Sequence, residues 1–166
     1  MSVVVLSKLV LAMNSTPLSA LNKYLYDHIP LSEAMGVQVV EALPNRVCVT
    51  APLAPNINHR DTVFGGSASA VAILAAWTLL YVAMRHEGLA CRVVIQRNTM
   101  AYEVPITGDF QAQAELDAAG WARFLKTLRR HNKARIQVRA VLTCEQQPVG
   151  ALTGEFVALA VGDKLA

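Results

Sequence analysis

The chain has 166 residues and a mass of 17.9 kDa, which is the size of one domain. Hydrophobic residues make up 54% of it and charged residues only 16%, against about 25% in average proteins. This composition excludes a disordered chain and a solvated coiled coil. A net charge of +3, without a stripe of Lys and Arg, argues against nucleic-acid binding. The apolar excess predicts that some hydrophobic surface is buried between subunits.

The cysteines and histidines show no pattern of a metal site or a disulfide. The three cysteines are odd in number and far apart, no Cys-x-x-Cys is present, and the four histidines lack ligand spacing. Each cysteine lies in a Val- or Thr-rich segment, where a thiol packs as a small buried hydrophobe. We therefore expect no metal ion and a reducing compartment.

Residues 1–16 are expected to be an N-terminal extension of a single domain over residues 17–162. Their apolar start contains Lys8, lacks a basic beginning and is followed by no small-x-small cleavage site. The pattern favours a tail without a targeting role and a cytoplasmic protein, with a weak signal peptide as the alternative.

The first half of the domain begins with a helix and continues into strands. Leucines at helical spacing predict a helix over residues 18–28, and a short turn follows over residues 32–35. Strands are predicted around residues 37–41 and 46–51. A polar loop then extends over residues 52–64.

Residues 67–84 form a helical segment without a charged residue, and two explanations compete for it. The segment approaches the ~20 apolar residues that span a bilayer. However, it is rich in alanine, and the strands that follow need an apolar element to cover their inner faces. The sequence therefore favours a buried core helix over a membrane span.

The second half of the chain alternates between apolar and polar residues, as half-buried strands do. Strands are predicted over residues 91–102, 110–116, 134–145 and 149–161, with a helix capped by Asp117 between the second and the third. This order of elements predicts an α+β domain with an antiparallel sheet on one side of a buried helix.

The loop before the apolar helix concentrates the polar residues that could carry chemistry. It presents Asn58, His59 and Asp61 and closes with Gly65 and Gly66. The first N–H groups of a helix lack partners and carry the positive end of its dipole, so a developing oxyanion could be held there. Asn58 and His59 are suited to orient or deprotonate a water. Alternatively, the two glycines only let the helix begin close to the sheet.

The segment N-I-N-H-R-D-T-V-F-G-G-S at residues 56–67, with L-A-A-W at 74–77, resembles a known family. It is similar to the thioesterase-like domain at the C-terminus of YiiD-type acetyltransferases, and the resemblance extends over about residues 20–160. It implies a hotdog fold, in which a curved antiparallel sheet wraps around one long central apolar helix. It also implies an acyl-CoA or acyl-carrier-protein thioesterase with coenzyme A as part of the substrate and no separate cofactor. The implied assembly is a homodimer or a dimer of dimers, without a nucleic-acid or membrane partner.

A second comparison, with hotdog thioesterases of the phenylacetate-pathway type, gives a partial match to their loop pattern N-x-x-G-T-x-H-G-G. The matching positions are Asn58, Thr62, Gly65 and Gly66. Asp61 stands in place of the first Gly of that pattern, and Phe64 in place of its His. The position of the acid that those proteins carry in the central helix is Ile73, and no carboxylate occurs between Asp61 and Glu87.

The resemblance implies catalytic roles for the loop and the helix start. Gly65 and Gly66 would bind the thioester oxygen, and Asn58 would position the water. His59 leads as the general base because an imidazole titrates near neutral pH. Asp61 could orient His59, or Glu103 could act from a partner subunit.

A set of substrate-binding residues is expected around that site. It comprises Phe64, Ser67, Ile73, Trp77, Asn98, Arg129 and Arg130. An acyl chain would lie along the central helix near Ile73 and Trp77, and Asn98 would assist from the next strand. Arg129 and Arg130 could bind the phosphates of coenzyme A, although such a basic cluster is often a solvated helix face.

Two other functions fit the same fold. One is an acyl-thioester-binding module that does not catalyse, which ligand would stabilise without being consumed. The other is a dehydratase or isomerase, which would need a His facing a carboxylate in the central helix of the opposite subunit.

Overall fold

The computed structural model describes residues 17–161, which form four α-helices, one short 3-10 helix (Ala54–Asn56) and six strands. The helices are α1 (Leu18–His28), α2 (Pro30–Ala34), α3 (Gly65–His86) and α4 (Ala118–His131). The strands are β1 (Gln38–Leu43), β2 (Arg46–Ala51), β3 (Cys91–Tyr102), β4 (Phe110–Glu115), β5 (Lys133–Cys144) and β6 (Gln147–Ala160). The expectations for residues 1–16 and for residue 162 lie outside the described residues.

The strands form one antiparallel sheet that wraps around α3. Their order is β1-β2-β4-β5-β6-β3, and every neighbouring pair is antiparallel. The long helix α3 contacts all six strands. The α+β architecture with a curved sheet around one central helix is therefore confirmed.

Alternation along the central strands explains why α3 is enclosed. On β4, Phe110, Ala112 and Ala114 are buried, whereas the residues between them are partly exposed. These buried side chains join one core cluster with Ala72 and Leu79 of α3. Because alanines occupy both sides of the contact, the helix lies close to the sheet, and the apolar face of each element is covered by the other.

The helix α3 is long and apolar enough to cross a membrane, but it is a core helix. In its most hydrophobic window, 61% of the residues are buried inside the protein. Its half-buried side carries Trp77 and Tyr81, whose rings are stacked with that of Tyr24 from α1. The indole N–H of Trp77 donates to the backbone carbonyl of Val93 on β3 at 3.1 Å.

The cysteines pack as apolar residues, as their sequence context indicates. Cys48 and Cys144 are buried, Cys91 is half-buried, and all three are free thiols. Burial raises the pKa of both Cys48 and Cys91. These two thiols are therefore held in the neutral form, which is not nucleophilic.

The buried side chain of Asn56 fixes the segment that leads into α3. Its amide Nδ2 donates to the backbone carbonyls of Met35 and Pro52, both at 2.8 Å. Its own backbone carbonyl accepts the N–H of Phe64, the residue before the helix, at 2.7 Å. One asparagine thus ties the end of α2, the end of β2 and the start of α3 together.

We expect Asn56→Ala to lower the free energy of unfolding by about 1–3 kcal/mol, since the buried carbonyl of Met35 is left without a donor, which costs about 1–3 kcal/mol. Loss of the part-buried bond to Pro52 is offset by removal of the buried Asn56 Oδ1, which has no partner among the described residues. Urea denaturation followed by circular dichroism measures this loss. Asn45→Ala, at an exposed turn position, is the matched control and should change stability by less than about 0.5 kcal/mol. A loss below about 1 kcal/mol for Asn56→Ala would contradict the role given to this side chain.

Candidate functional site

A cavity of about 310 Å³ lies between the start of α3 and the end of β3. Its lining includes Gly65 from the helix start and residues 102–106 from the end of β3 and the segment after it. Most of the lining is apolar, with Met100, Leu142 and Val149 among its residues. The cavity can therefore accept a hydrocarbon group next to the first turn of the helix.

The first turn of α3 has unpaired backbone donors. Phe64 occupies the N-cap position, and no side chain of residues 17–161 caps the helix. The first backbone bond runs from Ala68 N–H to the carbonyl of Phe64 at 3.0 Å. The N–H groups of Gly65, Gly66 and Ser67 consequently have no partner among residues 17–161. Together with the helix dipole, such donors stabilise negative charge on an oxygen.

Two aromatic rings lie against the two glycines. The hydroxyl of Tyr102 donates to the carbonyl of Gly65 at 3.0 Å. A Cβ atom on Gly65 would lie 3.3 Å from the Tyr102 ring, and one on Gly66 would overlap the ring of Phe64. Glycine at these positions therefore leaves room for the rings. Sequence reasoning missed Tyr102, although an aromatic residue ending a strand was a visible signal.

The side chain of Asn58 is engaged within its own loop. Ile57 and Val63 form an antiparallel bridge that closes the loop. Between them, the Asn58 Oδ1 accepts the N–H groups of Arg60 and Thr62, at 2.8 and 3.3 Å. The Nδ2 of Asn58 donates to the Thr62 hydroxyl at 3.0 Å and to the Val63 carbonyl at 3.3 Å. The side chain of Asn58 thus holds the loop in its conformation. Both N–H groups of its amide are already bonded within the loop, so neither is free to donate to a water.

The other two polar residues of the loop lie at its exposed tip. His59 and Asp61 are both exposed, and Asp61 has a left-handed backbone with φ of 60°. Neither residue lines the cavity. Their catalytic roles stay predictions, without a contact that supports them.

The structure does not bring Ile73 and Trp77 to the cavity. Both are half-buried on α3, and Trp77 is bonded to β3. Asn98 is exposed on β3 and shares a face with Met100 and Tyr102 by strand alternation. Phe64 and Ser67 do lie at the helix start, and Phe64 is 58% exposed.

The two arginines predicted to bind phosphate lie near the end of α3, whereas the cavity lies at its start. Arg129 forms an ion pair at 2.9 Å with Glu87, the residue that follows the last turn of α3. A helix of 22 residues is about 33 Å long, so Gly65 lies about that distance from Glu87, at the opposite end of α3. Arg129 and its neighbour Arg130 therefore do not reach the cavity of their own chain.

One acidic residue does line the cavity. Glu103, directly after β3, is the only Asp or Glu in the lining formed by the described residues. The sequence suggested Glu103 as a group contributed by a partner subunit. In the structure it lines the cavity at the helix start of its own chain.

Comparison with known proteins identifies the family and the fold of the chain. The family described as "Putative thioesterase (yiiD_Cterm)" matches residues 18–160. A protein of unknown function from Chlorobaculum tepidum TLS is similar with a TM-score of 0.80 and 30% identity, over 86% of this chain and 93% of that chain. A protein from Shewanella oneidensis, described as a "putative thioesterase", has a TM-score of 0.78 and 25% identity. The match covers 86% of this chain and 96% of that chain.

A thioesterase of class EC 3.1.2.- from Haemophilus influenzae shares the fold alone, with a TM-score of 0.69 and 12% identity over 92% of this chain and 96% of that chain. The family match spans nearly all of the described residues, and the TM-scores show that the two solved structures of 25–30% identity share the fold. The chain therefore belongs to the YiiD C-terminal thioesterase family and has the hotdog fold.

Proposed function

We propose that this protein hydrolyses an acyl thioester, carried on coenzyme A or on a carrier protein, at the start of α3. The observation that carries the proposal is the set of unpaired N–H groups of Gly65, Gly66 and Ser67 beside an apolar cavity. A thioester carbonyl develops negative charge on its oxygen when water attacks its carbon. Donors already fixed by the helix stabilise that charge without reorganising.

The cavity supports a place for the acyl chain between α3 and the sheet. Its apolar lining, with Ala68 from the helix and Leu142 and Val149 from the sheet, favours hydrocarbon over water. An acyl chain bound there brings its carbonyl to Gly65. This route replaces the one expected along Ile73 and Trp77.

The free edge of β3 supports a homodimer. Among residues 17–161, β3 pairs only with β6, so its other edge is unpaired. Glu103 donates its N–H to Val149 of β6 at 3.1 Å. Successive backbone N–H groups along a strand point to opposite sides of it. The N–H groups of Asn98, Met100 and Tyr102 therefore point away from β6. A second copy of the chain, adding its own β3, would satisfy them.

Hydrolysis is tested by thiol release from acyl-CoAs of graded chain length, and Gly65→Pro tests the donor. Proline is accepted at the first helical position, and Phe64 before it has φ −60° and ψ 130°, which a following proline allows. Loss of one N–H should reduce kcat about 10²–10³-fold. Gly65→Ala is the matched control, because it adds the same Cβ beside Tyr102 and keeps the N–H.

Equal rates for Gly65→Pro and Gly65→Ala would count against Gly65 as an oxyanion donor. If the parent protein releases no thiol but its melting temperature rises with acyl-CoA, it is the non-catalytic binding module.

For the dimer, we expect Asn98→Pro to yield monomers, because proline removes an N–H from the free edge and none from the ladder with β6. Light scattering after size exclusion should give about 17.9 kDa, half of the parent mass. Asn98→Ala keeps the backbone donor and should remain dimeric. A parent protein that is itself monomeric would refute the pairing.

A further inference from the structure

We infer that Glu103 is the general base of this site, a conclusion that rests on the proposed hydrolysis of a thioester. The helix α3 carries no Asp or Glu from Gly65 to His86. A base for the attacking water must therefore come from another element. Of the carboxylates in the described residues, only that of Glu103 belongs to a residue lining the cavity at Gly65.

The end of β3 explains how Glu103 comes to line the cavity. Regular strand pairing stops at Tyr102, and the backbone N–H groups of Glu103 and Val104 both donate to the carbonyl of Val149, each at 3.1 Å. The chain therefore leaves the strand at Glu103, and the alternation of sides ends there. Residues 102–106 all line the cavity, so Glu103 lies beside Tyr102 at its wall.

The Glu103 carboxylate is available, whereas several other acids already have partners. Among residues 17–161, no hydrogen bond or ion pair engages the Glu103 side chain, and the residue is exposed to solvent. The partnered acids are Asp27 with Lys23, Glu41 with Arg46, Glu87 with Arg129, and Asp117 with the N–H of Gly120. Glu103 can therefore accept a proton from a water at the cavity mouth without breaking an ion pair.

The reaction balances with water as the only co-reactant. Glu103 takes a proton as the water oxygen bonds to the thioester carbon, and the carbonyl electron pair moves onto the oxygen held by the N–H groups of α3. When that oxyanion collapses, the carbon–sulfur bond breaks. The protonated Glu103 then returns its proton to the leaving thiolate, so the products are a free acid and a thiol.

The test is steady-state hydrolysis of the best acyl-CoA by Glu103→Gln, which keeps the size of the side chain and removes its basicity. We expect kcat to fall about 10²–10⁴-fold. The Kd of a non-hydrolysable thioether analogue of that acyl-CoA should stay within about threefold, because no binding contact is lost. Glu103→Asp, which keeps the carboxylate, should retain more activity than Glu103→Gln. Glu33→Gln, at an exposed position on α2, is the matched control and should equal the parent.

Four results would overturn the inference. If Glu103→Gln is as active as the parent, Glu103 is not the base, although the thioesterase function stands. If His59→Gln loses activity while Glu103→Gln keeps it, the base is His59. If Glu103→Gln no longer binds the thioether analogue and is also inactive, the carboxylate binds the substrate and is not the base. If the parent hydrolyses no thioester, the proposed function fails together with the base.

Discussion

The apolar surface of α3 is the constraint on which the rest of the structure depends. A helix of 22 residues that carries charge only in its last turn has to be covered along most of its length. One flat sheet covers one side, so the six strands curve around it, and small side chains on both elements bring them close. The remaining side is covered in part by the ring of Tyr24 against Trp77 and Tyr81. Each element that reaches the candidate site is placed by this wrapping.

The start of α3 departs from what helix stability alone would favour. In the same chain, α4 begins conventionally, because the Asp117 carboxylate accepts the N–H of Gly120 at 2.6 Å. Phe64 occupies the equivalent position of α3 and offers no acceptor. Replacing a capping side chain by an apolar one typically costs about 0.5–2 kcal/mol. An uncapped end beside an apolar cavity is thus a local loss of stability at the place where a binding function would need free donors.

The elements could be predicted from the sequence because local patterns determine them, whereas several site assignments depend on geometry that no pattern reveals. Alternation in β4 and β5 identified the strands, but α3 begins two residues earlier than predicted, since glycine is acceptable in a first turn. The role of Asn58 depends on four hydrogen bonds within its own loop. The position of Arg129 depends on an ion pair with a residue 42 positions away. Neither the bonds of Asn58 nor the ion pair of Arg129 can be inferred from the spacing of residues in the sequence.

The end of β3 joins the two proposals of function and assembly. Tyr102 and Glu103 lie where β3 stops, and β3 is an edge strand with hydrogen bonds on one side. An edge strand, whose backbone is hydrogen-bonded on a single side, opens more readily than a strand in the middle of a sheet. In the proposed dimer, pairing along the free edge would therefore hold the Tyr102 hydroxyl on Gly65, and Glu103 at the cavity, more firmly. Dimer formation and catalysis would then be coupled through the same strand, even where the partner contributes no side chain to the chemistry.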